Sequence, residues 1–390
     1  MDTTVDTSPP RPVRKLVTVR QIREKERLKN HRYDVLHIDG WTVIVPANEY
    51  EEGQLVVYFE IDSFLPATNR LFGEYMFNRM EVQDGIYGHR VRSRTVDRAI
   101  SQGVVFALDR VPEVNGVLED LTRKLGRKEA LKSIFNMSFE KELRVKKWEV
   151  VMDDNNPEAS LGRPPTFFPQ PGCERAQNII GLFSPGGRYL DRVFQVTEKL
   201  DGVTMSIYTV RSGSRWYDSL TALPEGCGMA MEQKHGRVGV CSRSHDFIDN
   251  GRNLYWEVAK KLGLPEKISQ IGDNVVVQGE LCGPSIQGNS LRLPEGEHAF
   301  IVFGIWDIER QQEMRPKNVI AICNRLGIAH VPVLEYSTVR QFAPSMEALI
   351  KKADGIGTNG TVREGFVFKS ANGKEQFKVI SNNWLILTGK

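Results

Sequence analysis

The amino-acid sequence predicts an α+β protein of two domains, a small N-terminal β-barrel followed by a larger domain with antiparallel sheets. At 390 residues the chain is long for one domain. Short strand-like runs with glycine turns occupy its first part, which is typical of a small barrel. From residue 173 onward, strand-like runs alternate with amphipathic stretches. Many of these runs are adjacent in sequence, and this favours antiparallel pairing.

The N-terminal segment, residues 1–14, is polar and contains three prolines. It has neither the apolar core of a signal peptide nor the arginine-rich amphipathic pattern of a transit peptide. The sequence therefore predicts a disordered tail here.

Residues 15–140 are predicted to form the barrel module. YDVLHIDGWTVIVP reads as two strands joined at Asp39-Gly40, a hairpin signal. In HRVRSR, Arg90, Arg92 and Arg94 alternate on one predicted strand face and could contact phosphates. Residues 115–144 are helix-prone and charged, and Arg123, Lys124, Arg127 and Lys128 could serve the same purpose, although charge runs are more often solvated surface.

A stretch rich in proline, glycine, aspartate and asparagine follows. We interpret residues 141–172 as a linker. The second domain is then predicted to span residues 173–390.

Bulk composition narrows the class of protein. The net charge of +3 permits nucleic-acid binding without requiring it. Five scattered cysteines without a CxxC pair argue against a disulfide framework or a zinc site and favour a reducing compartment. No apolar run approaches the roughly 20 residues of a membrane span. We expect an intracellular protein, cytoplasmic or nuclear, that is monomeric.

Charged residues at the ends of apolar strands are the informative ones. They cluster at five places in the second domain: Glu198-Lys199-Leu200-Asp201-Gly202, Ser242-Arg243-Ser244, Gly279-Glu280-Leu281, Glu364-Gly365 with Lys369, and Gln376-Phe377-Lys378. Singly, each is more simply explained as an edge charge or a turn residue. Together, in this order, they suggest nucleotidyl transfer.

The chemistry explains the residue types. A lysine can attack the α-phosphorus of ATP if a desolvated site with nearby cations lowers its pKa. Positive charge must surround the phosphate, a carboxylate must hold the ribose, and apolar groups must cover the base. Lys199 can supply the nucleophile and Glu280 the ribose acceptor, while Phe303 and Val367 can enclose the base.

The ordered set KLDG, SRS, QGEL, FIVFGIWDI, EGFVFK and QFKVIS resembles motifs I, Ia, III, IV and V of the covalent nucleotidyltransferases. Within them the chain is most similar to ATP-dependent RNA ligases. DGWTVIVPANEYEEGQLVVYFEIDSFLP, SQGVVFAL and CERAQNI resemble the Deinococcus-type RNA ligases. The resemblance implies an OB-fold module before an ATP-grasp-like nucleotidyltransferase domain.

The resemblance also implies roles for individual residues. Lys199 becomes adenylylated, Glu198 helps to recognise adenine, and Phe303 stacks on it; Trp306 is a second candidate, although strand alternation puts it on the opposite face. Mg²⁺ or Mn²⁺ is held by Glu364, with Glu280 as an alternative. The remaining implied contacts are to ATP or AMP for Asp201, Gly202, Arg243, Glu280, Val367, Lys369 and Lys378, and to nucleic acid for Arg90, Arg92 and Arg175.

Two positions depart from the family pattern. Motif V often reads Lys-x-Lys, and here Gln376 takes the first place, so that Lys374 or Lys369 has to replace its charge. Motif III often has aspartate where this chain has Gly304, and Asp307 is the predicted substitute.

The predicted reaction joins a 3′-hydroxyl to a 5′-phosphate of RNA, with a nicked duplex as the expected substrate. The chain runs only 12 residues beyond Lys378, and we expect no C-terminal domain of the kind that capping enzymes and large DNA ligases use. A DNA ligase, a capping-type nucleotidyltransferase and an inactive RNA-binding protein remain the alternatives.

Overall fold

A computed structural model describes residues 14–73, 80–148, 160–179, 181–225, 227, 231–233 and 236–389. Most of the predicted N-terminal tail lies outside these residues. The chain divides into two compact units. Unit 1 comprises Met1–Val151, Gln177–Ile180 and Leu385–Lys390, and unit 2 comprises Met152–Ala176 and Gly181–Trp384.

Unit 1 consists mainly of short strands, with one short helix among them and two longer helices after most of the strands. Its elements are β1 (Val17–Gln21), β2 (Glu24–Arg27), β3 (Tyr33–Ile38), β4 (Trp41–Pro46), β5 (Leu55–Phe59), β6 (Ser63–Pro66), α1 (Arg70–Gly73), β7 (Glu81–Gln83), β8 (Ile86–Arg90), β9 (Ser93–Val96), β10 (Ala99–Gln102), β11 (Val104–Ala107), α2 (Pro112–Leu125), α3 (Arg127–Ile134) and β12 (Lys146–Lys147). The sheet orders are β1-β5-β11, β2-β3-β4, β10-β9 and β12-β6-β8-β7.

The hairpin predicted at Asp39-Gly40 is confirmed. Ile38 pairs with Trp41 across β3 and β4, and both turn residues have positive φ, 48° for Asp39 and 86° for Gly40. That backbone is the one a two-residue hairpin turn requires, and glycine and aspartate tolerate it.

Unit 2 is built on two large sheets. Its elements are β13 (Ser160–Gly162), β14 (Glu174–Arg175), β15 (Val193–Lys199), β16 (Val203–Arg211), β17 (Glu232–Gln233), β18 (Gly236–Cys241), β19 (Asp246–Phe247), α4 (Leu254–Lys261), α5 (Leu264–Ser269), β20 (Val275–Cys282), β21 (Ala299–Asp307), β22 (Gln312–Glu313), α6 (Pro316–Leu326), β23 (Val333–Thr338), α7 (Val339–Phe342), α8 (Met346–Ala353), β24 (Gly365–Ser370) and β25 (Gln376–Ile380). The last helix, α9 (Asn382–Thr388), begins in unit 2 and ends in the C-terminal segment that belongs to unit 1. One sheet has the order β13-β19-β18-β16-β20-β21-β22, with β17 on β18, and the other has the order β14-β25-β24-β15-β23.

The five-stranded sheet has one apolar face and one polar face. Phe194, Phe368 and Phe377 pack together on the apolar face, and the rings of Phe368 and Phe377 stack 4.6 Å apart. Side chains alternate along a strand, so the intervening residues point to the other face. The pairs Lys199 with Gly365 and Val367 with Lys378 therefore put Lys199 and Lys378 on the same polar face.

Residues 141–172 do not form the simple linker that the sequence predicts. Leu143 and Val145 are buried in the core of unit 1, and Lys146–Lys147 pairs with β6 as strand β12. On the other side, Phe167 and Phe168 are buried in unit 2. Apolar residues at both ends of 141–172 thus belong to folded units, and residues 149–159 lie outside the described part of the chain.

The segment HRVRSR is also not one strand. Strand β8 ends at Arg90 and β9 begins at Ser93, in a different sheet. Val91 lies between them and is buried. Its backbone amide donates to the carbonyl of Ser63, and its carbonyl accepts from the amide of Asp62. The three arginines therefore do not share a strand face.

Candidate active site

Lys199 is the last residue of β15, and its side chain is 23% exposed. Its Nζ lies 2.8 Å from Oε1 of Glu364. The strand register explains this pair, because Lys199 is opposite Gly365 on β24 and Glu364 directly precedes that strand. The predicted nucleophile and the predicted metal ligand are therefore adjacent.

Glu280 lies on the other sheet and reaches the turn that follows Lys199. Its Oε1 accepts a hydrogen bond of 3.1 Å from the backbone amide of Gly202. A β-carbon at position 202 would lie 2.5 Å from the carbonyl oxygen of Leu281 and 2.9 Å from Cγ of Glu280. Only glycine fits this close approach, which gives a physical reason for the glycine in KLDG.

The electrostatics of Lys199 differ from the expectation. Burial alone would lower its pKa, but the carboxylates of Glu364 and Glu280 outweigh burial and raise the pKa of Lys199 above its usual value. Burial, and to a smaller extent the charge of Glu364, raise the pKa of Glu280 to about 7 despite the attraction of Lys199. Without a nucleotide or a metal ion, the lysine is therefore held as an ammonium.

Lys378 lies on the same sheet face as Lys199 and is half-buried. Burial and the positive charges of Lys199 and Arg175 lower its pKa. Arg175 is directly opposite Lys378, because β14 runs parallel to β25. Several cationic side chains thus converge beside Lys199, which suits a site for a phosphate group.

The carboxylates fit a divalent cation that is shared with a substrate. Oε2 of Glu364 is buried and has no hydrogen-bond partner among the described residues. Within the described part of the chain no three acidic, histidine or cysteine side chains form a metal cage. Mg²⁺ commonly binds one or two carboxylates together with substrate phosphates, so the donor set is suitable.

Phe303 and Val367 come from different sheets. A β-bulge in β21 leaves Phe303 as the extra residue, because Val302 pairs with Gly279 and Gly304 with Gln278. Val367 lies on the same face as Lys378. Both side chains are partly exposed. The bulge also interrupts the alternation between Phe303 and Trp306, and Trp306 packs against the buried cluster that contains Phe167 and Tyr208.

Lys369 is 7% exposed and does not have a free ammonium group. Its Nζ donates to Oε1 of Glu313 over 2.5 Å and to the carbonyl oxygen of Phe303 over 2.9 Å. The lysine that was predicted to bind AMP is thus bonded to protein groups.

The two departures from the family pattern have different outcomes. Asp307 accepts hydrogen bonds from the backbone and side chain of Arg310. The carboxylate next to Gly304 is instead that of Glu313 on β22. The prediction that Asp307 replaces the missing aspartate is therefore wrong. Gln376 donates to the carbonyl oxygen of Gly172 over 3.2 Å, and Lys374 lies exposed in the turn between β24 and β25.

Glu198 points away from Lys199. It is 4% exposed, and its Oε2 accepts a hydrogen bond of 2.9 Å from the amide of Thr358. The backbone carbonyl of Asp201, in the same motif, accepts a hydrogen bond of 2.5 Å from the hydroxyl of Ser290. The predicted role of Glu198 in recognising adenine stays a prediction.

Arg243 is exposed in the turn between β18 and β19, and its charge acts on Glu280. The hydroxyl of Ser242 accepts hydrogen bonds from the amides of Ser244 and His245 and so fixes this turn. The guanidinium is therefore on the Glu280 side of the site.

Arg90 and Arg92 belong to unit 1, and each is paired with an acid. Arg90 donates to Asp62 over 2.6 Å, and Arg92 to Glu81 over 2.5 Å. These ion pairs reduce the positive charge available to nucleic acid, and the predicted role of the two arginines stays untested.

Sequence reasoning missed Glu313, Ser290 and Thr358. Glu313 lies in a two-residue strand without a motif, and the other two lie in loops that meet the motif only in the folded chain. No local signal distinguishes them.

Comparison with known proteins identifies both units. An RNA ligase family model matches residues 192–383, and an OB-fold domain model matches residues 16–108. No curated protein sequence matches the chain significantly.

Solved structures of an RNA ligase from Naegleria gruberi are similar to this chain over nearly its full length. A variant with AMP and Mn has 28% identity and a TM-score of 0.71, covering 95% of this chain and 98% of that one. A variant with ATP and Mn gives the same values. The form with PPi has 29% identity and a TM-score of 0.70, covering 96% and 98%.

No helix among the described residues is long and apolar enough to cross a bilayer. The predicted family, the OB-fold module and the α+β fold class are confirmed. The chain is therefore an enzyme whose residues 192–383 form an RNA ligase family domain, with an OB-fold domain ahead of it at residues 16–108.

Proposed function

We propose that this protein is an ATP-dependent RNA ligase that seals 5′-phosphate and 3′-hydroxyl ends through a lysyl-AMP intermediate on Lys199. The observation that carries the proposal is the position of Lys199 within the ligase domain. Its ammonium group is 2.8 Å from Glu364, with Glu280 and Lys378 beside it. The similar ligase structures that contain ATP, AMP, Mn or PPi support the choice of ATP and a divalent metal.

In the first step the partly exposed ammonium of Lys199 gives its proton to water, and the neutral Nζ attacks the α-phosphorus of ATP. An N–P bond forms, the bond from the α-phosphorus to the bridging oxygen breaks, and pyrophosphate leaves. Lys378 and Arg175 neutralise charge that develops on the α-phosphate. Positioning and charge neutralisation account for most of the catalysis in such transfers.

Glu364 would hold Mg²⁺ or Mn²⁺, with Glu280 as the alternative ligand. When bound, the cation supplies positive charge that offsets the two carboxylates and so favours the neutral amine of Lys199. The buried Oε2 of Glu364, which has no hydrogen-bond partner in the described part of the chain, supports this assignment.

Phe303 and Val367 would enclose the adenine. Glu280 would accept from the ribose, and Arg243 would contact the ribose or the phosphate. Asp201 and Gly202 would shape the turn around the nucleotide, because the Gly202 amide already orients Glu280.

In the second step a 5′-phosphate oxygen attacks the lysyl-AMP phosphorus, and the N–P bond breaks. In the third step the 3′-hydroxyl attacks the activated 5′-phosphate and AMP leaves. We propose a nicked duplex as substrate, with the OB-fold domain as an additional RNA-binding module. All the site residues come from one chain, which is compatible with a monomer. The free thiols of all five cysteines favour an intracellular location, cytoplasmic or nuclear.

Sealing assays on matched nicks test the proposal against its alternatives. We expect joining when the 3′-hydroxyl strand ends in RNA, and much less joining when both strands are DNA. Equal sealing of an all-DNA nick would favour a DNA ligase. Transfer of GMP from GTP to a diphosphate RNA end would favour capping, and no nucleotide transfer at all would favour an inactive RNA-binding protein.

A further inference from the structure

The ion pair between Lys369 and Glu313 lies where the family pattern leads one to expect an aspartate at position 304. Both side chains are mostly buried, with 9% and 15% of their surface exposed. Lys369 lies on β24 and Glu313 on β22, so the pair joins the two sheets of unit 2. A buried ammonium group destabilises the folded state unless it is paired and hydrogen-bonded. Glu313 provides this partner for Lys369.

The same ammonium group also holds Phe303. It donates to the carbonyl oxygen of Phe303 over 2.9 Å, at the bulge in β21. Lys369 is two residues beyond Val367 on one face of β24. The two proposed walls of the base pocket are therefore connected through this one side chain.

Gly304 provides the space for Glu313. A β-carbon at position 304 would lie 2.8 Å from Oε1 of Glu313 and 3.4 Å from Nζ of Lys369. Position 304 thus points directly at the ion pair. An aspartate there would put its carboxylate in the region that Glu313 now occupies, and the two carboxylates could not both fit.

We infer that Glu313 is a positioning residue for ATP recognition, which fixes Lys369 and, through it, the separation of Phe303 and Val367 around the base. Glu313 on β22 thus takes the place of the carboxylate that the family pattern puts at position 304, where this chain has glycine. This inference rests on the proposed function, because it assigns the base to that pocket.

Removal of the Glu313 carboxylate leaves the ammonium group of Lys369 buried without its charge partner. Lys369 then moves toward water and releases the carbonyl of Phe303. The pocket loosens around the base, while the phosphate groups and Lys199 keep their partners. The expected effect is on the KM for ATP rather than on the rate at saturating ATP.

The test measures single-turnover adenylylation of Lys199 over a range of ATP concentrations. Glu313→Ala and Glu313→Gln should raise the KM for ATP roughly tenfold, as expected for the loss of one charge-assisted hydrogen bond. The matched control is Gln312→Ala, an exposed neighbour on the same strand, which should leave the KM unchanged. The double variant Gly304→Asp with Glu313→Ala should recover most of the loss, because it returns a carboxylate to Lys369.

A second readout separates positioning from general destabilisation. Inorganic triphosphate has no base, so it should compete with ATP equally well in wild type and in Glu313→Ala. Unchanged KM values in both Glu313 variants, or no recovery in the double variant, would overturn the inference. Equal weakening of ATP and triphosphate would overturn it as well. If the wild-type protein forms no adduct, the proposed function fails, and this inference fails with it.

Discussion

At the scale of single residues, the charge state of Lys199 decides when the enzyme can react. Glu364 and Glu280 keep the lysine protonated, and an ammonium group has no lone pair with which to attack phosphorus. The reaction therefore has to include removal of this proton.

The first prediction is a rise in the adenylylation rate with pH. The pKa of Lys199 is raised, so its neutral fraction at neutral pH is small and grows with each unit of pH. Glu280, with a pKa of about 7, loses its proton over the same range and becomes a better cation ligand. The Glu280 carboxylate also strengthens the hold on the Lys199 ammonium, but a bound cation offsets this charge, so the rate should still rise with pH. Single-turnover assays with ATP and Mg²⁺ from about pH 6 to about pH 9 should show the increase, and a flat profile would show that deprotonation of Lys199 does not limit the step.

The second prediction separates two roles for Glu198. If its carboxylate serves to hold the amide of Thr358, Glu198→Gln keeps an accepting oxygen and should retain most of the adenylylation activity. Glu198→Ala removes the hydrogen bond to the amide of Thr358, which costs about 0.5–1.5 kcal/mol, and frees the loop that this bond holds, so the variant should lose most activity. The comparison is of adenylylation rates at saturating ATP, with unfolding temperatures as the control. Similar, severe losses in both variants would instead indicate that the charge of Glu198 acts on the nucleotide.

Residue types could be predicted where chemistry requires them. Lys199, Glu280, Glu364 and Lys378 are conspicuous because charge at the end of an apolar strand needs a reason. Glu313 could not be predicted, because its partner Lys369 is 56 residues away and only the sheet topology brings them together.

At the scale of secondary structure, the turn that carries Arg243 is supported by a buried acid. Asp246, on β19, is 3% exposed and accepts hydrogen bonds from the hydroxyl of Tyr208 over 2.9 Å and from the thiol of Cys241 over 3.4 Å. Burial raises the pKa of Asp246 to about 6, although both donors oppose this.

The third prediction concerns stability and pH. The folded protein keeps the proton of Asp246 up to about pH 6, whereas an unfolded chain loses it near pH 4. The contribution of this group to the free energy of unfolding therefore falls as the pH rises from about 4 to about 6, by roughly 2–3 kcal/mol. Asp246→Asn does not titrate, so urea denaturation at both ends of this range should show a smaller loss for the variant. Equal losses in the two proteins would mean that Asp246 is already ionised in the folded state.

Elements with a strong local pattern could be predicted, and those set by distant contacts could not. The β3–β4 hairpin follows from Asp39-Gly40 alone. The bulge at Phe303 depends on how β20 and β21 align, and no residue in FIVFGIWDI signals it. The break in HRVRSR depends on Val91, whose backbone bonds to residues about 28 positions earlier.

At the scale of the whole molecule, the net charge of +3 is too small to bind RNA by itself. Local groups of cations must supply the attraction. Lys124, Arg127 and Lys128 are exposed around the junction of α2 and α3 in unit 1.

The fourth prediction is that alanine substitutions at these three positions weaken RNA binding and reduce its salt dependence. Each lost phosphate contact should lower the slope of log K against log salt by about 0.9 for a duplex. Lysyl-AMP formation should be unchanged, because its residues all lie in unit 2, and this provides the internal control. An unaltered salt slope would show that this junction does not contact RNA.

The two-part organisation could be predicted from length and composition, but its boundary could not. Proline, glycine and asparagine in 141–172 suggest a linker, yet Leu143 and Phe167 are buried in their respective units. Isolated apolar residues within a polar stretch carry no sign of which core they join.

The covalent intermediate on Lys199 is the central claim, and intact mass spectrometry of the purified protein tests it most directly. Wild type and Lys199→Ala are incubated with Mg²⁺ and ATP, and wild type also with GTP. We predict a mass increase of one AMP in wild type with ATP only, no adduct in Lys199→Ala, and loss of the adduct when pyrophosphate is added. An AMP adduct that persists in Lys199→Ala, or no adduct in wild type under any of these conditions, would contradict the account.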